Sequence, residues 1–255
     1  MTTVALVTAP PPVPSTRRVW NAVRLHVANP WPVLIAPWLI FAAVFALNLA
    51  IWRVILTAAG GRENLGGDAF GYSGGASWIL FFLAVVAVQA MSLTFRFALG
   101  LGMTRRDYYL GTSVFLVLLG LSFATGMTVL AAVERATDGW GLGGRFFTPG
   151  PIQGWSLGEL WWVLVMTAML FAFVGVVAAT AWVRWKALGL YLVIGGTALL
   201  LIGAAWLMTV TESWGPLGTY LGEHSPALSA TWTLPVTLAC GVLGFVLLRR
   251  ATPRA

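Results

Sequence analysis

The sequence predicts an all-α membrane protein with six transmembrane helices, an N-terminal amphipathic helix at the membrane interface, and both termini in the cytoplasm. Hydrophobic residues make up 59% of the chain and charged residues 9%, which excludes a soluble globular domain and a disordered chain. Six long apolar stretches follow one another, and the basic residues between them alternate in position. The predicted layout is a flexible arm (1–16), a connecting helix (17–30), a membrane domain (31–250) and a cytoplasmic tail (251–255).

The N-terminal segment of residues 17–29 predicts an amphipathic helix with an apolar face and a polar face. The apolar face holds Val19, Trp20, Val23 and Val27, and the polar face holds Arg17, Asn21, Arg24 and Ala28. We expect this helix to lie in the membrane plane with its arginines toward anionic headgroups. An extension of the first span fits the same residues. Pro30 and Pro32 then turn the chain into that span.

The six apolar stretches each approach the ~20 residues that a helix needs to cross ~30 Å of hydrocarbon. They run from Pro32 to Leu56, Ser77 to Phe95, Leu110 to Val133, Leu160 to Val183, Leu188 to Val210, and Thr231 to Leu248. Their cores contain no Asp, Glu, Lys or His, so proton-driven transport is not expected. The candidate residues of a substrate pathway are therefore neutral: Asn48, Gln89 and Ser92.

The basic residues mark one side of the membrane. Eleven of the fifteen lie in the N-terminal arm, the second and fourth connections and the tail: Arg17, Arg18, Arg24, Arg96, Arg105, Arg106, Arg184, Lys186, Arg249, Arg250 and Arg254. The positive-inside rule places this side in the cytoplasm. The net charge of +7 therefore reports topology, and no nucleic-acid partner is expected.

The two outer connections before the fourth and sixth spans differ in how well their ends are marked. Ser156 and Glu159 form a capping box, and Trp155 with Leu160 form a hydrophobic staple, which predicts a defined start for the fourth span. The segment from Thr211 to Ala230 fits either a dip into the interface or a cover over the helices.

Patterns of enzymes and metal proteins are weak in this chain. Residues 71–75 fit G-x-S-x-G, but Ser73 lies in an outer loop and the last span has no histidine, so we interpret the pattern as a glycine-rich loop. Neither the single Cys240 nor the two distant histidines predict a metal or haem site. The only lysine, Lys186, does not follow G-x-x-x-x-G, so the chain is not expected to bind a cofactor or hydrolyse ATP.

The second cytoplasmic connection carries the most specific pattern. Thr104 can accept from the amide of Asp107, and Asp107 can reach back, as in a helix cap. We expect a short, rigid helix here that presents arginines and tyrosines to a groove on another protein. A positive-inside pair plus a helix cap is the alternative. The candidate contact residues are Gly102, Met103, Thr104, Arg105, Arg106, Asp107 and Tyr108.

The run Leu99-Gly-Leu-Gly-Met-Thr-Arg-Arg-Asp-Tyr-Tyr-Leu-Gly-Thr112 resembles the segment between spans two and three of ABC-2 type permeases, the membrane subunits of ABC exporters, in their actinobacterial form. The six-span layout is similar along the whole chain. The resemblance implies a coupling helix that touches a separate ATPase subunit, which binds the ATP and Mg. It also implies a second permease subunit, identical or related, a place in the cell inner (plasma) membrane, and export of an apolar or amphipathic compound. A non-transporting assembly or sensory subunit is the alternative, and an intramembrane enzyme a more distant one.

Overall fold

The computed structural model describes residues 14–66, 69–71, 75 and 77–250, which are largely helical and contain no strand. The main helices are α1 (Ser15–Val27), α2 (Trp31–Ala58), α3 (Trp78–Gly100), α4 (Arg105–Ala136), α5 (Leu157–Trp185), α6 (Ala187–Val210), α7 (Trp214–Glu223) and α8 (Pro226–Arg249). Most of the N-terminal arm, Ser73 of the G-x-S-x-G pattern and the tail lie outside the described residues.

Six of these helices are long and apolar enough to cross a membrane: α2, α3, α4, α5, α6 and α8. They are 23 to 32 residues long, which confirms the prediction of an all-α chain with six helices that could span a membrane. Two helices begin five residues before their predicted starts: α4 begins at Arg105 instead of Leu110, and α8 begins at Pro226 instead of Thr231. A helix is also present at Ser15–Val27, while its position at a membrane interface stays a prediction.

Helix α5 lies at the centre of the bundle and packs against α3, α4, α6 and α8. Its buried face includes several small residues, among them Ala168, Ala172, Gly175 and Ala179, which let helix backbones approach closely. A Cβ atom on Gly175 would lie 2.6 Å from the carbonyl oxygen of Ala84 in α3, so no larger side chain fits there. Gly120 and Gly244 also face the bundle, against Met169 and Val176.

Helix α6 lies at the edge of the bundle and packs mainly on α5. Lys186 alone joins the two helices, and its φ of 57° marks a tight reversal. Gly189 then faces the backbone of Ala181, where a Cβ atom would overlap the carbonyl group. Beyond this point most side chains of α6 are exposed, and a Cβ on Gly195 would meet no other heavy atom within 4 Å.

Contacts between helix termini define the two ends of the bundle. At the first, which we call the basic end, Arg18 of α1 pairs with Asp107 of α4, and Arg105 donates to the carbonyl of Arg249 in α8. At the opposite end, the segments that follow α2 and α4 meet through Arg62 and Asp138, whose charged atoms are 3.0 Å apart. The basic connections thus share one end, and its cytoplasmic location stays a prediction.

The segments before α5 and α8 are held in place by side-chain contacts. The predicted capping box of Ser156 and Glu159 is confirmed, with α5 beginning at the next residue after Ser156. The segment from Thr211 to Ala230 forms α7 and the first turn of α8, which is five residues longer at this end than the predicted span. The indole nitrogen of Trp232 donates to the Tyr220 hydroxyl at 2.7 Å and ties α8 to α7.

Candidate functional site

The connection between α3 and α4 is a tight turn at the basic end. Gly102 has a φ of 79°, a conformation that glycine adopts without the cost that a Cβ atom would bring. The Thr104 hydroxyl then accepts from the Asp107 amide at 3.1 Å, which confirms the predicted N-cap. Residues 105–136 form one continuous helix, so the prediction of a separate short helix is wrong. The capped turn is the first turn of the third span itself.

The seven candidate contact residues differ in exposure. Three are exposed (Gly102, Thr104 and Arg106), two are half-buried (Met103 and Arg105), and two are buried (Asp107 and Tyr108). Tyr108 is 0% exposed, and its hydroxyl donates to the carbonyl of Ala90, inside the π-helical turn Ala90–Thr94 of α3. Its ring faces inward because helical periodicity places it on the side of α4 opposite Arg106. The prediction that Tyr108 contacts another protein is corrected: it holds α3 against α4.

Asp107 joins α4 to α1 and does not complete the cap. The Arg18 Nε atom lies 3.1 Å from the Asp107 Oδ2 atom, and the Asp107 side chain is only 7% exposed. Since Oδ2 has no hydrogen-bond partner of good geometry within the described residues, the contact is an ion pair only. The half-exposed guanidinium supplies the charge that a buried carboxylate needs. The prediction that Asp107 reaches back to its own turn is therefore wrong.

A second polar contact fixes the other end of α1. The imidazole Nε2 atom of His26 lies 2.9 Å from the hydroxyl oxygen of Thr112, and its ring stacks on Phe115 with centroids 4.8 Å apart. Burial lowers the pKa of His26 to about 4, so the ring is neutral at pH 7. His26 therefore acts as a neutral hydrogen-bonding group that docks α1 onto the third span.

The docked face of α1 differs from the predicted apolar face. Val23 is buried, but Trp20 is 47% exposed, and small Ala22 takes the most enclosed position. Ala22 fits because it lies against Gly111 of α4, where a Cβ atom would sit 2.5 Å from the carbonyl oxygen of Val19. The close approach of α1 to α4 at Gly111 therefore determines which residues of α1 face the bundle.

The first turns of α4 also contact α8. Arg105 Nη1 donates to the carbonyl of Arg249 at 3.1 Å, and the Tyr109 hydroxyl donates to the carbonyl of Gly241. The Tyr109 ring packs on Phe245 with centroids 5.3 Å apart. The start of the third span thus touches α1, α3 and α8, so a displacement of this turn would move three other helices.

The candidate substrate-pathway residues Asn48, Gln89 and Ser92 do not form one site. Gln89 is exposed and lines a cavity of about 210 Å³ with His26 and other residues, and neither Asn48 nor Ser92 is among them. Ser92 donates to the carbonyl of Val88 in its own helix. The Asn48 Oδ1 atom is buried with no partner in the described part of the chain. A pathway through these three residues stays a prediction.

The opposite end is organised by Glu134, near the end of α4, a residue that the sequence analysis does not single out. Its side chain is 1% exposed and accepts from the amides of Phe146 at 2.7 Å, Phe147 at 3.0 Å and Thr148 at 2.9 Å. The Thr148 hydroxyl and the Trp140 indole nitrogen also donate to it. A carboxylate with five donors fixes the loop between α4 and α5. No sequence periodicity signals this arrangement, because three of the five donors are backbone amides.

Comparison with known proteins gives no family assignment: no family model, no curated protein and no solved structure matches the chain. Within the described residues, no group of three His, Cys, Asp or Glu side chains could hold a metal ion.

Proposed function

We propose that the chain is the membrane permease subunit of an ABC-2 type exporter, located in the cell inner membrane with both termini in the cytoplasm. It works with a second permease subunit, identical or related, and with a separate ATPase subunit that binds ATP and Mg. The transported compound is apolar or amphipathic. The observation that carries the proposal is the resemblance of residues 99–112 to the segment between spans two and three of such permeases.

The geometry of this segment supports a coupling role. Its turn exposes Gly102, Thr104 and Arg106 at the basic end, where a soluble partner can reach them. The turn is also the first turn of a membrane span, and it is tied to α1 by the ion pair of Arg18 with Asp107. Force applied by a partner at this turn would therefore act directly on the third span and on α1.

Charge reversal at the turn tests the coupling role. Arg105 and Arg106 are replaced by Glu together, and the matched control replaces Arg17 and Arg24, which are exposed on α1, by Glu. Both variants change the charge of the basic end equally. We expect only the first to lose the ATPase subunit during purification, because truncating one partner of a close interfacial charge pair costs about 2–5 kcal/mol.

Insertion and orientation are checked in both variants with a reporter fused after Arg250. If both variants insert properly, keep the ATPase and transport normally, Arg105 and Arg106 are not part of a coupling surface. Loss of the ATPase in both would show a general dependence on charge. A chain that holds a partner but supports no ATP-dependent movement of any compound fits the alternative, a non-transporting assembly or sensory subunit.

A further inference from the structure

Arg106 stands between two grooves that open on the surface of the bundle at the basic end. One groove, between α1 and α4, has a volume of about 650 Å³, and the other, between α4, α5 and α8, of about 450 Å³. Both grooves are lined by Arg106 and by Leu110, one helical turn further along α4. The charged side chain of Arg106 and the apolar side chain of Leu110 therefore separate two adjoining grooves.

Both grooves change from polar to apolar in the same direction. In the groove beside α1, the polar lining residues besides Arg106 are Ser15, Thr16, Arg18, Thr104 and Asp107, and Val114 lies one turn along α4 from Leu110 toward the membrane interior. In the other groove, Tyr109 is followed by apolar residues of α5 and α8 that include Phe173, Leu238, Val242 and Phe245. Leu110 and Val114 are each 40% exposed, so the grooves leave apolar surface uncovered. A polar end that continues into two apolar grooves matches the shape of a diacyl lipid.

The charges at the polar end favour a negative headgroup. The Arg18 charge is balanced by Asp107, 3.1 Å away. Arg106 is exposed and makes no hydrogen bond or ion pair with the described part of the chain. The hydroxyls of Ser15, Thr16 and Thr104 lie on the same groove and can donate to phosphate oxygens. One uncompensated guanidinium beside three hydroxyls matches a phosphate that carries one net charge.

We propose that an anionic diacyl phospholipid of the leaflet at the basic end binds here, its phosphate on Arg106 and its two acyl chains in the grooves on either side of Leu110. Basic pockets between membrane helices commonly hold such headgroups. The lipid would fill the groove between α1 and α4 and so stabilise the docked position of α1. The proposal concerns the isolated chain and does not depend on transport or on an ATPase partner.

Native mass spectrometry of the purified full chain in mild detergent tests the proposal. Phosphatidylglycerol and phosphatidylcholine with the same acyl chains are added in separate samples, and glycerol 1-phosphate in a third. We expect one phosphatidylglycerol per chain, at least about tenfold tighter than phosphatidylcholine, because the choline cation of phosphatidylcholine offsets the attraction of its phosphate to Arg106 while the apolar contacts are shared. Equal retention of both lipids would overturn the role of charge, and equal binding of glycerol 1-phosphate would overturn the role of the acyl chains.

Two pairs of variants separate this site from general attraction. Arg106→Gln is expected to weaken phosphatidylglycerol binding about tenfold, and Arg17→Gln, an exposed charge outside both grooves, to change it less than about twofold. Val114→Trp fills one groove without changing charge, and Val129→Trp on the exposed face of the same helix is its control. Equal losses of phosphatidylglycerol binding in Arg106→Gln and Arg17→Gln would contradict the proposal. Unchanged phosphatidylglycerol binding by a folded Val114→Trp chain would also contradict it.

Discussion

Replacing Gly111 by Ala should undock α1 from the third span. The new Cβ would lie 2.5 Å from the Val19 carbonyl oxygen and would also overlap the Ala22 side chain. Because ordinary contacts begin near 3.5 Å, α1 must move outward by about 1 Å. Such a shift lengthens the 3.1 Å ion pair of Arg18 with Asp107 and the 2.9 Å contact of His26 with Thr112.

The size of this effect follows from opposing terms. Overpacking at a well-packed contact costs about 1–3 kcal/mol, and Ala gains about 1 kcal/mol over Gly in a helix interior. Because the propensity gain acts on α4 whether or not α1 is docked, the docking equilibrium itself loses about 1–3 kcal/mol, which raises the undocked population about 5–160-fold. Since α4 itself is stabilised by the higher helix propensity of Ala, the loss should be confined to α1.

Hydrogen exchange of residues 15–27 in lipid nanodiscs measures this population. Gly195→Ala is the matched control, because its Cβ meets open space on another apolar helix. We expect faster exchange in α1 of the Gly111→Ala chain alone, with α4 unchanged. Equal protection of α1 in wild type, variant and control would refute the close approach at Gly111.

Three further predictions rest on single polar groups. Glu134→Ala should lower the free energy of unfolding by about 3 kcal/mol or more, because buried backbone donors lose their acceptor. Asp138→Asn removes an exposed ion pair but keeps a residue type that tolerates the φ of 47° at this position, so it should cost under about 1 kcal/mol; thermal unfolding compares the two variants. Acidification should weaken the docking of α1 as the pH falls from about 6.5 to about 4, the pKa of the buried His26, because His26 takes up a proton at higher pH in the undocked helix than in the docked one. Hydrogen exchange of α1 across this range should therefore rise on acidification in the wild-type chain, and His26→Gln should abolish this change. Gly189→Ala should separate α6 from α5 and lower the melting temperature, whereas Gly203→Ala should not.

Each of these predictions has an outcome that contradicts it. Equal melting curves for the two acid variants would show that the loop between α4 and α5 does not depend on Glu134. An unchanged pH profile in His26→Gln would assign the acid sensitivity to another group. A Gly189→Ala chain as stable as wild type would mean that α6 does not rest against Ala181.

The six spans were predictable because their signal is local. Stretches of about 20 apolar residues report directly on the environment that a helix crosses, and Ser156 with Glu159 marked the start of α5 through two bonds within one turn. The start of α4 was missed because Arg105 and Arg106 ended the apolar stretch, although Thr104 gave the N-cap correctly. Charged residues at the end of a span extend the helix beyond the apolar core without any change in periodicity.

The contacts that build the basic end were not predictable in the same way. Arg18 and Asp107 are separated by 89 positions, and each residue by itself fits an exposed site. The periodicity of α1 does not indicate that Ala22, and not Trp20, lies on its buried face. The buried face of α1 is determined by Gly111, which belongs to α4 and leaves room for Ala22. Tyr108 looked exposed because it follows two arginines, yet helical geometry turns it inward. Such placements depend on tertiary contacts.

The most direct test of the proposed function is affinity purification of the full chain from its native membrane, followed by ATP hydrolysis and transport in proteoliposomes. The account predicts that an ATPase subunit is retained with the chain, that the complex hydrolyses ATP, and that the chain stripped of this subunit does not. Isolation without any ATP-hydrolysing partner, or hydrolysis by the rigorously purified chain alone, would contradict it.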